Sequence, residues 1–346
     1  MEITQTAAIK QAIDQLMKKD PSVFIIGEGV PDPKGIFGTT LGLKEKYPDR
    51  VLDMPISENG VTGVCIGAAV MGLRPIMTHQ RIDFALLCMD QITNNASKWN
   101  YMFAGKSNVP IVIRLVIGRG WGQGPQHSQN LQALFAHIPG LKVVMPTTPY
   151  DAKGLLISAI EDNNPVIFIE HRWVHNLKGE VPEEIYKIPI GSAKIAKTGT
   201  DLTIAATSYM NIQALKVAEI LEKQGISIEV VDVRSLKPLD DNLIIKSVKK
   251  TGNLLVLDSG WYTGGFAGEI ISRISEKAFD HLKSAPQRIT LPDLPTPTAP
   301  ELTKHYYPTT TQIADKVLGM LNKDIKIEID EPKEHDKPDP SFTGPF

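Results

Sequence analysis

The stretch Pro110-Ile111-Val112-Ile113-Arg114-Leu115-Val116-Ile117-Gly118 decides the fold. It is apolar at nearly every position, not at every second one, and proline and glycine punctuate its ends. Such a run suits a strand buried on both faces of a parallel sheet; a half-exposed strand would alternate. Working outward, similar runs recur at residues 23–27, 74–78, 141–146 and 165–170. Helical patterns lie between them at 60–72, 83–103, 130–137 and 150–162. Residues 178–200 are rich in polar and turn residues and break the alternation. It then restarts, with strands expected at 202–208, 226–233, 253–258 and 288–291 and helices at 211–224, 241–251, 264–278 and 310–321. The fold class expected is α/β, with two β/α domains, mainly parallel sheets and right-handed crossovers. The domains are placed at residues 1–185 and 186–323, followed by a charged, proline-rich tail at 324–346. Residues 291–302, with four prolines, read as an irregular extended connection. The tail shows no periodicity, so it is expected to be disordered or laid against a partner.

The 346 residues suffice for two domains of about 100–200 residues each. Hydrophobic residues make up 42% and charged residues 22%, and the formal net charge is −2. The opposite charges are interspersed, which gives nucleic acid no basic stripe to bind. The two cysteines, Cys65 and Cys88, sit in apolar stretches and read as buried thiols, not as a disulfide or zinc site. The first 19 residues read as an amphipathic helix with Ile9, Ile13 and Leu16 on one face, without the pattern of a signal peptide. No run approaches the roughly 18 apolar residues that span a bilayer. A cytoplasmic enzyme or enzyme subunit, with no membrane partner, is expected.

There is no phosphate-binding loop of the G-x-x-x-x-G-K-[ST] type and no G-x-S-x-G nucleophile elbow. Gly118, Gly120, Gly122 and Gly124 follow a strand at the wrong spacing for a dinucleotide fingerprint, and read as a loop over a site. No His/Cys/Asp/Glu cluster has transition-metal spacing. What remains are polar residues at strand ends, where open α/β sheets place their ligands. Glu58, in Pro55-Ile56-Ser57-Glu58-Asn59-Gly60, precedes a helix rich in Gly60, Gly63, Gly67, Ala68 and Ala69. By residue type alone, the helix macrodipole accounts for an acid there. The small residues suit the close approach of a cofactor, of another backbone or of a packed helix. His127, in Gly124-Pro125-Gln126-His127-Ser128-Gln129, ends the glycine loop. It is a surface or capping residue, or a substrate-contacting base carried on a shaped loop.

Several colinear segments carry a resemblance: Pro55-Ile56-Ser57-Glu58-x-Gly60, Gly72-Leu73-Arg74-Pro75, Asp83-Phe84 with Asp90-Gln91, and Gln126-His127-Ser128-Gln129. So do Pro139-Gly140-Leu141-Lys142-Val143-Val144-x-Pro146, Asp151-Ala152-Lys153-Gly154-Leu155-Leu156 and Arg234-Ser235-Leu236-x-Pro238-Leu239-Asp240. From about Thr4 to Leu321 the chain resembles the beta subunit of the thiamine-diphosphate-dependent decarboxylating component of 2-oxo acid dehydrogenase complexes. That is the pyruvate, branched-chain and acetoin group of the transketolase-like superfamily. The resemblance implies that Glu58 hydrogen-bonds N1′ of the aminopyrimidine and so drives the removal of the thiazolium C2 proton. It implies that His127 faces the thiazolium and assists acyl transfer to lipoyl-lysine. Phe84 and Gln80 would line the cofactor, although Phe84 is equally explained by core packing. It further implies potassium held largely by main-chain carbonyls of Ile111, Ala159, Ile160, Asp162 and Asn164; the polar turn ending at Asn164 suits free carbonyls. Thiamine-diphosphate enzymes of this kind hold Mg²⁺ on a Gly-Asp-Gly motif, which this chain lacks. An alpha subunit is therefore expected to bring the diphosphate and Mg²⁺ in an α₂β₂ heterotetramer. A beta–beta contact and a lipoyl acyltransferase core complete the implied partners.

The chain departs from that pattern at Gly29, at Ile76-Met77-Thr78-His79-Gln80-Arg81, at Trp121 and at Trp173-Val174-His175. These positions are expected near the cofactor and the substrate channel, where they bear on substrate identity. Besides the dehydrogenase, two readings stay open: a two-subunit carboligase acting on an aldehyde or sugar, and a non-catalytic assembly subunit.

Overall fold

The computed structural model describes residues 1–118, 123–329 and 331. The larger sheet has seven strands in the order Ser235–Lys237, Lys142–Val144, Val166–His171, Val112–Ile117, Arg74–His79, Val23–Ile26 and Val51–Leu52. Neighbours run parallel except at the first pair, which is antiparallel. Val112–Ile117 lies near the centre and is buried at every position, as its unbroken apolar run requires. Arg114 is buried with it. Its guanidinium meets Glu170 of the adjacent strand at 2.7 and 3.0 Å and Thr39 at 2.9 Å. A two-point pair of this kind is what makes a fully buried arginine tolerable. Burial alone would raise the Glu170 carboxyl, but the Arg114 charge and the hydrogen bonds from His175 and Arg114 hold it at about 2.

The helices Gln5–Lys19 and Pro149–Glu161 cover one face of this sheet, burying Ile9, Ile13 and Leu16 against Leu155 and Leu156. Each starts on a threonine whose Oγ1 accepts a free first-turn N–H: Thr4 from Ala7 and Thr148 from Asp151. The helix Glu58–Val70 lies on the other face. The second sheet runs Gln287–Leu291, Leu254–Trp261, Leu202–Ala206, Ile228–Asp232 and Lys194–Lys197, parallel save for the last pair. One hydrophobic cluster joins Ile113 and Ile167 of the first sheet to Val231 and Val256 of the second. Two mainly parallel α/β units thus share an interior.

Three expectations are corrected. The helix expected over 83–103 is a 3-10 turn at Ile82–Cys88, a π-turn at Gln91–Ala96 and a short α-helix at Ser97–Met102. Here Asn94 donates to Asp90 at 2.7 Å, Asn95 to Gln91 at 2.9 Å and Ser97 to the Thr93 carbonyl at 2.7 Å. Such local polar bonds compete with a regular ladder. The proline-rich 291–302 is not irregular throughout, because a helix Pro300–Tyr306 starts on Pro300 at its first position. The tail is not shapeless up to 331: Ile325, Ile327 and Ile329 pack on the core of the second unit, and Thr311 donates to Glu331 at 2.6 and 2.8 Å. Isoleucine at every second position was the periodic signal in the sequence. Residues 332–346 and Trp121, with its neighbours in the glycine loop, lie outside the described residues.

Candidate active site

Glu58 is the first residue of the helix Glu58–Val70 and is only 5% exposed. The helix starts two residues earlier than the sequence pattern indicated, so the carboxylate sits in its first turn, where the macrodipole favours an anion. One turn on, Thr62 donates to the Glu58 carbonyl at 2.6 Å and meets Met77 Sδ at 3.0 Å, tying the helix start to the sheet. Among the described residues no hydrogen bond reaches the carboxylate itself. The turn Ile82–Cys88 packs against this helix. Burial raises the Cys88 thiol, and the Glu58 charge adds to that effect.

Phe84 and His127 meet on that turn, with ring centroids 5.3 Å apart and planes tilted by 42°. His127 Nδ1 lies 2.8 Å from Asp83 Oδ2. The Asp83 side chain is 11% exposed and His127 is 38% exposed. A carboxylate at Nδ1 fixes the proton on that nitrogen and leaves Nε2 as the free ring position. Asp83 was legible only as part of a motif; its hold on His127 depends on a fold that closes 44 residues of chain.

Gln80 ends the run after the strand Arg74–His79, and its Nε2 donates to the Glu28 carbonyl at 3.0 Å. One of its two amide N–H donors is thus held by a neighbouring loop. Gly29 stands beside it with φ +70°, and a Cβ there would meet Gln80 Nε2 at 2.8 Å and Asp32 Oδ2 at 3.0 Å. Two of the sequence's departures, Gly29 and Gln80, therefore touch. Another lies elsewhere: His175 is buried on Glu170 at 3.1 Å, inside the sheet and not along a channel.

Of the carbonyls assigned to potassium, those of Ile160 and Asp162 both accept from Arg74 Nη1 at 3.0 Å. The Ala159 carbonyl accepts from the Asp162 N–H and the Ile111 carbonyl from the Val166 N–H. The Asn164 N–H donates to Asp162 Oδ1 at 2.8 Å, and Lys142 pairs with the same carboxylate. Each carbonyl keeps a second lone pair. Among the described residues, no group of three or more His, Cys, Asp or Glu is placed to hold a metal.

Two small residues of the helix Glu58–Val70, Gly63 and Gly67, leave room that the described residues do not fill. A Cβ on Gly67 would meet nothing within 4 Å, and one on Gly63 would make only ordinary contact with Gln91. Beside Gly67 on that face, Val64 and Met71 are 68% and 83% exposed, and Ile56 just before the helix is 80% exposed. Among the described residues no helix is long and apolar enough to cross a membrane.

The family described as transketolase, pyrimidine binding domain, matches residues 1–176, and the transketolase C-terminal domain matches 191–313. The beta subunit of acetoin:2,6-dichlorophenolindophenol oxidoreductase from Cupriavidus necator is 46% identical over 317 residues, covering 89% of this chain and 94% of that relative. The pyruvate dehydrogenase E1 component subunit beta of Rickettsia felis is 40% identical over 318 residues, covering 92% and 98%. Among solved structures, a split-gene transketolase, described as an inactive beta4 tetramer, superimposes with a TM-score of 0.77 at 23% identity, covering 92% of this chain and 99% of that one. That last likeness concerns the fold alone.

Proposed function

The chain belongs to the family of thiamine-diphosphate-dependent 2-oxo acid dehydrogenase E1 beta subunits, and we propose that it supplies the aminopyrimidine half of an active site shared with an alpha subunit. The observation that carries this reading is Glu58: a buried carboxylate, unclaimed by the described residues, at a helix N-terminus beside the Phe84–His127 pair. When bound, thiamine diphosphate would supply the nucleophilic and electron-accepting chemistry that decarboxylation of a 2-oxo acid needs. Glu58 shares a proton with the aminopyrimidine ring nitrogen, a positioned acid–base contact worth roughly 10²–10⁴-fold. Phe84 and Gln80 would help hold that ring. His127, oriented by Asp83 through Nδ1, would accept and return a proton through its free Nε2 during acyl transfer to lipoamide.

The sequence has no Gly-Asp-Gly, so the diphosphate and Mg²⁺ fall to the alpha subunit. The open small-residue face around Gly67 supports close approach by that chain in an α₂β₂ assembly. A monovalent cation would use the second lone pairs of the Ile111, Ala159, Ile160, Asp162 and Asn164 carbonyls, beside the Arg74 guanidinium. Exchanging K⁺ for choline should then lower the melting temperature; an unchanged value removes the cation from the account.

The deciding experiment reconstitutes the chain with its alpha subunit and thiamine diphosphate, then follows acyl-lipoamide from pyruvate, branched-chain 2-oxo acids and acetoin. Acyl-lipoamide formation is expected. A carbon–carbon product from aldehyde acceptors without any acyl-lipoamide would replace the dehydrogenase by a carboligase. Absence of both would leave an assembly subunit.

A further inference from the structure

The five-stranded sheet ends at Gln287–Leu291 on one side and at Lys194–Lys197 on the other. An edge strand offers a row of unpaired N–H and C=O groups, and lysines on it are a common guard against pairing. The Lys194–Lys197 edge has two of them, Lys194 and Lys197. The Gln287–Leu291 edge has none, and beside it lies a groove of about 1030 Å³. All five residues of that strand line one wall. The helix Thr310–Met320 forms another wall through Gln312, Asp315, Lys316 and Gly319, which share one face at helical spacing. A Cβ on Gly319 would meet nothing within 4 Å, so the slot is open there. A slot between an edge strand and a helix suits an extended peptide, which gains main-chain hydrogen bonds from the edge.

The chain brings a segment of its own to this slot. After the helix Thr310–Met320 it doubles back, because Glu331 Oε1 accepts from the Thr311 N–H and hydroxyl at 2.6 and 2.8 Å. Thr311 adjoins Gln312 of the groove, so the described chain stops at the groove itself, with residues 332–346 still to follow in the sequence. Pro332 and Pro338 bracket Lys333-Glu334-His335-Asp336-Lys337. Proline cannot donate to a ladder, whereas the five residues between match the length of Gln287–Leu291, about 17 Å as a strand. As a strand this segment carries Lys333, His335 and Lys337 on one face and Glu334 and Asp336 on the other. The groove offers both signs as well. Ile289 packs on the core of the second unit, so Arg288 stands on the opposite face, where it lies over the Tyr262 ring at 3.7 Å. Arg288, Asp315 and Lys316 form no ion pair among the described residues. Asp293 is already engaged by the Thr263 N–H and hydroxyl at 2.9 and 2.7 Å.

We propose that residues 333–337 add to the outer edge of Gln287–Leu291 as a sixth strand of the second sheet, with Glu334 and Asp336 beside Arg288. Lys333 and Lys337 then lie on the helix side, toward Asp315. A slip of one residue would put the acids on the helix side and the lysines beside Arg288, so the charges select this register. The segment guards the edge that lacks lysines, independently of the chemistry at Glu58.

The test compares amide hydrogen exchange in assembled alpha–beta complexes made with the full chain and with a chain ending at Glu331. Truncation should speed exchange of residues 287–291 tenfold or more and leave the central strand Leu202–Ala206 unchanged. A synthetic peptide of residues 332–346, added to the truncated complex, should slow it again. In the full chain, Arg288→Glu should speed exchange at 287–291, and adding Glu334→Lys with Asp336→Lys should reverse the effect. If truncation also loosens Leu202–Ala206, the full-length charge variants decide, and no response at 287–291 to Arg288→Glu overturns the docking. Equal exchange in full and truncated complexes overturns it too. Protection that survives truncation but fades on dilution assigns the groove to a second copy of the chain, with the same consequence.

Discussion

Glu58 and Asp83 are both acids near strand ends, yet the fold gives them different tasks. Glu58 is buried with its oxygens unclaimed among the described residues, whereas Asp83 is committed to His127 Nδ1 at 2.8 Å. Glu58→Gln keeps shape and removes the exchangeable charge, so turnover should fall by about 10²–10⁴-fold with folding and alpha-subunit assembly intact. Full activity of that variant would sink the cofactor-activation role. Asp83→Asn should lower kcat by roughly tenfold or more with KM nearly unchanged, since an amide orients His127 poorly without touching substrate. A change confined to KM would argue that Asp83 contacts substrate directly. His127→Ala should slow acyl transfer more than cofactor C2 proton exchange, read by comparing the two rates.

At the scale of elements, the helix Glu58–Val70 shows why glycines can be kept against their helix penalty. Gly67→Ala adds a methyl in open space and should stabilise the isolated chain by about 1 kcal/mol, as helix propensity requires. Gly67→Leu should leave the chain folded but weaken assembly with the alpha subunit, measured by analytical ultracentrifugation; unchanged assembly would free this face of any partner. The strand Arg74–His79 carries a pH dependence. Burial pushes His79, at its end, down to about 4 from the ordinary 6.5. Above pH 6.5 the ring is neutral in folded and unfolded chains, so nothing is lost. As pH falls from 6.5 to 4, the unfolded chain binds a proton that the folded one refuses, and stability declines by something on the order of 3 kcal/mol. His79→Leu should flatten this part of the stability–pH curve, measured by urea midpoints.

Across the whole molecule, the two units are joined by more than a linker. Ser235–Lys237 of the second half completes the edge of the first sheet, and Gln132 donates to Asp258 across the junction at 2.8 Å. Arg234 carries the main ionic tie, donating to Asp151 at the start of the helix Pro149–Glu161 and to the Ala193 carbonyl. Arg234→Met would strand a buried Asp151 and should cost about 3–5 kcal/mol. Restoring most of that loss by adding Asp151→Asn would confirm the pair as the cause; no restoration would point to Arg234's other bonds.

What the sequence determined by itself was whatever depends on local pattern. Unbroken apolar runs such as 110–118 imply two-faced burial and a parallel sheet, and the Glu58 and His127 motifs imply the family. The missing Gly-Asp-Gly carried the expectation of a second chain for the diphosphate. Tertiary structure decided what depends on distant residues meeting. It set the Asp83–His127 bond, the contact of Gly29 with Gln80, and the removal of His175 to an internal ion pair. It also broke the expected 83–103 helix, because side-chain bonds from Asn94, Asn95 and Ser97 override a periodicity that records only apolar spacing. Arg81 and Arg172 lie 91 residues apart and have no common motif; only parallel strands ending on one edge bring both guanidiniums over Phe37. Hydrophobic spacing is a one-dimensional signal, whereas the pairing of polar groups is settled by which strand ends the sheet places side by side.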